Sequence, residues 1–216
     1  MSELNLNEDQ QDCLQEIINV AMGQASDQLA RFLDTFVYLK VPSIEQVSTL
    51  NLLDILNSNE NSAAIVSQGF FGYEGIRGEA LLVYKPKDSD RLADLLGYEP
   101  DELSVEEQII DLSSILTTTF LNVFAKQIDN QMSYSAPRLL AGSQSAVSDH
   151  LAQQSFNWDL ALKVKITYQV TDYSFNCDMI LFIPESAINN IKAVIDRILE
   201  EFYCLQMIFA RILPIK

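Results

Sequence analysis

The stretch from Asn7 to Asp34 reads NEDQQDCLQEIINVAMGQASDQLARFLD, and the stretch from Ser104 to Asp129 reads SVEEQIIDLSSILTTTFLNVFAKQID. In the first, Leu14, Ile17, Ile18, Ala21, Ala25, Leu29 and Phe32 recur at steps of three and four residues, the period of one apolar stripe along a helix. A long amphipathic helix is expected from Glu8 to about Asp34. Asn7 and Gln10 can close a capping box at its start, where Glu8 and Asp9 suit the positive end of the dipole. In the second stretch, Ser104 and Glu107 form the capping box and Ile109, Leu112, Leu116, Phe120 and Val123 the stripe, so a helix is expected from Val105 to about Asp129. A shift of 95 positions carries Leu14 to Ile109, Ala21 to Leu116, Ala25 to Phe120, Leu29 to Phe124, Leu33 to Ile128, Asp34 to Asp129 and Pro42 to Pro137 with no gap. Apolar positions stay apolar, which implies an internal duplication.

The segments between the helices repeat as well. After the first helix come an expected strand, Phe36 to Val41, then Pro42, a stretch to Leu56 with no firm assignment, and a polar loop from Asn57 to Ser62. An antiparallel pair is expected at Ala63 to Phe71 and Gly78 to Lys85, then Pro86 and a short helix from Asp88 to Leu96 stopped by Gly97 and Pro100. After the second helix follow a strand near Met132 to Ser135, Pro137, a polar loop around Gln144 to Gln154, a hairpin at Asp159 to Thr171 and Ser174 to Ile183, and a terminal helix from Glu185 to about Phe202. Leu81 to Pro86 matches Met179 to Pro184 at a shift of 98. Each half offers one half-apolar helix and few strands, so one shared sheet with the helices laid across it would bury both stripes. The expected fold is a pseudo-twofold α+β layer structure with a largely antiparallel sheet. It forms a single domain over residues 1–216, built of repeats at about 7–100 and 103–202 with an apolar tail from Tyr203 to Lys216 that can extend the last helix or cover an oligomer interface.

Charge and composition narrow the function classes. The chain has 216 residues, 30 of them acidic against 14 basic, for a formal net charge of −16. That balance opposes the phosphate attraction on which nucleic-acid and anionic-membrane binding rest, and it suits a protein partner with a basic face. The longest mainly apolar runs, such as Met179 to Pro184, fall far short of the roughly 20 residues needed to cross a bilayer. With no signal-peptide layout at Met1 to Asn5, a cytoplasmic protein is expected. Cys13, Cys177 and Cys204 are read as free thiols, and with only His150 beside them they suggest no metal site.

On the first helix, Asp12, Glu16, Asn19 and Gly23 fall at i, i+4, i+7 and i+11, which at about 100° per residue is one strip opposite the apolar stripe. An acid, an acid and an amide alone are ordinary surface. Gly23 is not, because a glycine inside a helix costs about 0.5–1 kcal/mol relative to alanine. On an exposed strip it leaves a gap through which a partner can approach.

The spacing Asp12-x3-Glu16-x2-Asn19-x22-Pro42 resembles the signature of the CheC, CheX and FliY chemotaxis phosphatases, and Asn19 to Ala25 looks like the run that follows the family's Asn. The duplicated layout covers nearly the whole chain and resembles CheC more than the shorter CheX. The resemblance implies a hydrolase acting on the aspartyl phosphate of a CheY-like response regulator, whose own active site holds the Mg²⁺; the chain itself needs no cofactor and no metal. By the family's mechanism Asn19 orients the attacking water, and Glu16 pairs with the receiver's active-site Lys. Asp12 helps dock, and Pro42 shapes the exit from the strand. The second strip, Glu107, Asp111, Ser114 and Pro137, has a shorter acid and a hydroxyl in place of the amide, with Thr118 where the first has Gly23, and is expected to be degenerate. Two further readings stand beside this one. One is a flagellar-switch or adaptor protein that binds the receiver without hydrolysis; the other is a partner of CheD. Trp158, Tyr168 and Tyr173 are read as packing or rim residues, and His150 is given no catalytic role.

Overall fold

The computed structural model describes residues 6–48, 64–84, 92–99, 102–140, 149–150, 153, 160–170 and 175–212, with side chains described as far as Glu201. In chain order the elements are α1 (Glu8–Phe32), β1 (Val37–Ser48), β2 (Ala64–Gly72), a 3₁₀ turn (Tyr73–Gly75), β3 (Arg77–Tyr84), α2 (Leu92–Leu96), α3 (Val105–Gln127), β4 (Met132–Tyr134), β5 (Arg138–Leu140), β6 (Leu160–Val170), β7 (Phe175–Pro184) and α4 (Glu185–Ile212). The expected loop at 57–62, the segment from Lys85 to Arg91, Pro100, Trp158 and Tyr173 lie outside the described residues.

Helices α1 and α3 start and stop by the same chemistry. In α1 the Asn7 side chain accepts from the Gln10 N–H and the Gln10 side chain from the Asn7 N–H, each at 2.9 Å. In α3 the Ser104 N–H donates to Glu107 Oε2 at 2.9 Å and the Glu107 N–H to Ser104 Oγ at 3.3 Å. At their ends Asp34 (φ 47°) and Asp129 (φ 49°) take the left-handed conformation. The Thr35 N–H then reaches back to the Ala30 carbonyl at 3.1 Å and the Asn130 N–H to the Ala125 carbonyl at 2.8 Å, the six-to-one bond of a Schellman stop. The two aspartates are the pair that the 95-residue shift aligns.

Among the described residues seven strands form one antiparallel sheet in the order β1-β6-β7-β3-β2-β4, with β5 also on β2. When β2 is exchanged for β6, β3 for β7, and β1 for the β4 and β5 pieces, the order reads the same from either edge. This symmetry belongs to the fold; descent from a duplicated half remains an inference from the sequence. The prolines take matching places in it. The expected strand end at Val41 is overturned: β1 runs through Pro42 to Ser48 along β6, with its register shifting between Lys40 and Ser43. At the other edge Pro137 separates β4 from β5, which start at Met132 and Arg138, 95 positions beyond Val37 and Ser43. Proline has no N–H for the ladder and is tolerated where a strand is at an edge or bulges, so a break in pairing replaces the expected strand exit.

The helices share one face of the sheet. Leu14, Ile18, Ala21, Ala25 and Leu29 of α1 and Ile109, Leu112, Leu116 and Phe120 of α3 meet the sheet residues Val66, Phe70, Leu82, Val164, Ile166 and Leu181, with Ile188, Ile191 and Ile195 of α4 beside them. Each leucine, isoleucine, valine or phenylalanine among them contributes about 1.5–3 kcal/mol when fully buried. Two phenols lie within this core, and both have partners: Tyr84 Oη is 2.7 Å from Ser113 Oγ, and Tyr168 donates to the Leu116 carbonyl at 3.3 Å. Burial pushes both well above the ordinary tyrosine range. Tyr168 is thus a packing residue, as expected. The window that makes α3 apolar and long enough to pass for a membrane span is 61% buried inside the protein, as a core helix requires.

Three expectations change. Phe32 leaves the stripe and is 64% exposed, because Leu33 (6% exposed) takes the core position one step beyond Leu29 as the helix ends. Within the polar stretch Gln144 to Gln154, the described residues Asp149, His150 and Gln153 are helical. Helix α4 continues ten residues past Phe202 to Ile212. Cys177 is buried and Cys13 half-buried, neither of them in a disulfide, and burial raises the Cys13 thiol.

The opposite face of the sheet carries Ser67, Glu79, Leu81, Val83, Ile180, Phe182 and Lys163, all buried. The Lys163 ammonium is held by Glu45 Oε2 at 2.7 Å, and this bond holds the Glu45 carboxyl below its ordinary value of 4.5. A carboxyl whose pKa is lower when folded stabilises the fold fully above its unfolded value and loses that contribution as pH falls through the folded one.

Two tests follow from the packing. Phe120→Ala is expected to cost about 3–5 kcal/mol of unfolding free energy and Phe32→Ala less than about 0.5 kcal/mol, read as urea midpoints at unchanged slope. Glu45→Gln is expected to lower the midpoint at neutral pH, with the difference from wild type closing as pH drops below 4.5; a constant difference would show that the pair contributes nothing through its charge.

Candidate functional site

The burial of one side of α1 dictates what the other side does. With Leu14, Ile17, Ile18, Ala21, Ala25 and Leu29 held against the core, Asp12, Glu16, Asn19 and Gly23 are all exposed. Among the described residues neither Asp12 nor Glu16 has a hydrogen-bond or ion-pair partner, and the Asn19 carboxamide oxygen accepts a single bond from Gln15 Nε2 at 3.2 Å. Each head group can reorient to meet an incoming partner, while α1 fixes its origin. From the middle of the helix onward the strip borders a groove of about 340 Å³ between α1 and β1, lined by Asn19, Met22, Gly23, Ser26, Tyr38 and Leu39. Ser26 Oγ donates to the Val37 carbonyl at 2.5 Å and ties the two elements together at the groove's end. Asn19 and Gly23 therefore share one depression with Tyr38 and Leu39, which the sequence did not signal. Asp12 and Glu16 stand on the preceding turns, and Pro42 is buried farther along β1 and does not line it.

The second strip has the same backbone and different chemistry. Both the Ser104 N–H and Ser104 Oγ donate to Glu107 Oε2, at 2.9 and 2.7 Å, and these bonds hold the Glu107 carboxyl below its usual range. Asp111 Oδ2 accepts from the Tyr98 hydroxyl at 2.8 Å, and the carboxylate at that distance raises the phenol pKa. Tyr98 reaches it because Gly97, in the left-handed region at φ +73°, ends α2 beside α3. Ser114 is half-buried, and its carbonyl accepts from Thr118 Oγ1 at 2.7 Å. Pro137 lies half-buried between β4 and β5. Both acids of this strip are thus engaged within the chain, which among the described residues the first strip's acids are not.

A third cluster escaped the sequence reading. On the far face of the sheet, Ser67 Oγ lies 2.8 Å and Glu79 Oε1 3.0 Å from the same nitrogen, Nε2 of His150, and Ser67 also donates to Glu79. Ser67 and Glu79 are buried, and the His150 side chain is 12% exposed. A nucleophile, base and orienting acid would use the two ring nitrogens in series. Two partners on one nitrogen form instead a clasp that fastens His150 to the sheet. Among the described residues no group of His, Cys, Asp and Glu side chains could hold a metal ion.

Fold and strip define an α+β protein with helices on one face of its sheet and a candidate site on an exposed helix surface. Solved structures give that fold its relatives. Against Thermotoga maritima FliY the chain is 17% identical with a TM-score of 0.62, covering 90% of this chain and 99% of that one. Against the middle domain of FliM from H. pylori it is 15% identical with a TM-score of 0.63, covering 88% and 99%. A chain of the H. pylori FliG-FliM complex gives 14% identity and a TM-score of 0.60, covering 87% and 100%. The chain thus has the fold of FliY and of the FliM middle domain. No protein-family model matches the sequence, and no curated protein does either.

Removal of the Tyr98 hydroxyl checks how the second strip is engaged. Tyr98→Phe is expected to lower stability by about 0.5–1.5 kcal/mol without a change in fold, measured by thermal denaturation. Asp111→Asn in the same background should then add little, since the pair acts as a unit.

Proposed function

We propose that the chain is a phosphatase for the aspartyl phosphate of a CheY-like receiver domain, working through Glu16 and Asn19. The observation that carries this reading is the contrast between the two strips: among the described residues Glu16 has no partner and Asn19 only a neighbouring glutamine, whereas Glu107 and Asp111 are both engaged. An acyl phosphate is already open to attack by water, so the catalyst needs neither nucleophile nor metal of its own. The Asn19 amide, donor and acceptor at once, holds a water in line with the phosphorus, and the rigid helix supplies its position. Glu16 pairs with the receiver's active-site Lys, and Asp12 adds to the docking charge. The receiver brings its own Mg²⁺ as part of the substrate. The net charge of −16 suits a partner whose docking face is basic, in a cytoplasmic setting.

The likeness to the FliM middle domain supports a second reading, an adaptor or switch protein that holds the phosphorylated receiver without hydrolysing it. As a partner of CheD the chain would form its complex whether or not Asn19 is present. Purified chain added to stand-alone receivers that have been phosphorylated with a small phosphodonor separates these readings. Phosphate decay is expected to accelerate with wild type. Asn19→Ala should lose about 10²-fold of that acceleration while still binding the receiver, and Glu16→Ala should weaken both binding and decay. Binding with an unaltered phosphate lifetime would select the adaptor.

A further inference from the structure

We infer that the groove between α1 and β1 receives an apolar side chain of the same receiver-type partner, and that Gly23 is there to keep its mouth open. The inference rests on the reading of Glu16 and Asn19 given above. The fold itself does not require a glycine at position 23. Its backbone is ordinary helix, and a Cβ placed on it would have no atom within 4 Å. Alanine would therefore fit and would favour the helix. What the missing side chain leaves is space, and that space continues into the groove lined by Asn19, Met22, Gly23, Ser26, Tyr38 and Leu39.

The lining says what the groove takes. Among the described residues no charged side chain lines it, although 30 residues of the chain are acidic. Met22 is buried and Leu39 half-buried, which gives an apolar floor, and the hydroxyl of Ser26 is already committed to the Val37 carbonyl. Tyr38, 54% exposed, supplies one wall, and Phe36, 74% exposed, stands just before it on the chain. A volume of about 340 Å³ is at the small end for ligand pockets, and it is open to solvent on the strip side. A side chain anchored from a partner's surface fills such a depression, and aromatic walls around a single anchor are the usual makings of an interface hot spot.

Charge fixes the partner's surface further. Glu16 lies seven residues before Gly23, about 10 Å along the helix at 1.5 Å per residue. The partner must then present a cation and an apolar side chain about that far apart, with the acyl phosphate next to the cation. A receiver with a lysine beside its phosphorylation site and an apolar residue on an adjoining loop meets this description. A second copy of this chain would bring Asp12 and Glu16 against its own acidic surface.

The test uses the full chain and a stand-alone receiver that wild type binds, with three measurements. The first is the melting temperature, the second the kcat and KM for dephosphorylation, and the third direct binding to the receiver loaded with beryllofluoride as an acyl-phosphate mimic. Gly23→Leu is expected to keep or raise the melting temperature, to raise KM and the dissociation constant tenfold or more, and to leave kcat within about twofold. Gly23→Ala should show the same pattern more weakly, and Tyr38→Ala should raise KM as well. Asn19→Ala should lower kcat with KM nearly unchanged. An unaltered KM in Gly23→Leu, with kcat lost in Asn19→Ala, overturns the groove and leaves the phosphatase reading intact. If wild type binds the loaded receiver without hydrolysis, the phosphatase reading fails; weaker binding by Gly23→Leu then still supports the groove. A change of oligomeric state in Gly23→Leu by size exclusion, with receiver binding unchanged, would give the groove to a second copy instead.

Discussion

Two half-apolar helices compete for one sheet face, and the rest of the structure follows from how that competition is resolved. Neither α1 nor α3 can leave its stripe in water, and a few strands from either half make too small a platform alone. Joining the strands into a sheet of seven gives both helices a seat, with Leu14, Ala21 and Leu29 beside Ile109, Leu116 and Phe120. The exposed strip on α1 is the other side of the same bargain. Its rigidity comes from the buried side, so residues with no internal role can be presented at fixed spacing.

The two halves share a backbone plan and differ in the surface it carries. Asp34 and Asp129 stop their helices with the same reversal, and Pro42 and Pro137 interrupt the two edges at matching places. The side chains between them went different ways. Asp111 is tied to Tyr98 and Glu107 to its own N-cap, so the second strip spends its carboxylates on holding α2 and α3 in place. Among the described residues Glu16 ties no other element, and Asn19 bonds only Gln15 on its own helix.

The elements were legible from the sequence because they rest on local signals. Capping boxes, stripe periods and hairpin turns are written within a few residues of where they act, and the α+β architecture with a shared sheet was readable from them. Contacts between distant segments were not. Tyr98 on Asp111 and His150 between Ser67 and Glu79 join residues 13 to 83 positions apart, and no period or motif announces them. Pro42 was misread as a strand end because proline breaks a ladder; only the sheet order reveals that β1 lies at an edge, where a strand survives the break. Phe32 was misplaced because the period alone does not say at which turn a helix stops. The strip at Asp12, Glu16, Asn19 and Gly23 could be read off helical spacing, but the groove beside it depends on β1 packing there.

The paired proline breaks also bear on how the protein behaves in a crowded solution. An open sheet has two outer strands with unpaired backbone groups, and each can recruit an extended segment from another molecule. Here both borders are interrupted, one by the shift of register around Pro42 and the other by the gap at Pro137. Neither border offers a long, flat template. The symmetry that gives this sheet two open margins also places a proline at each of them.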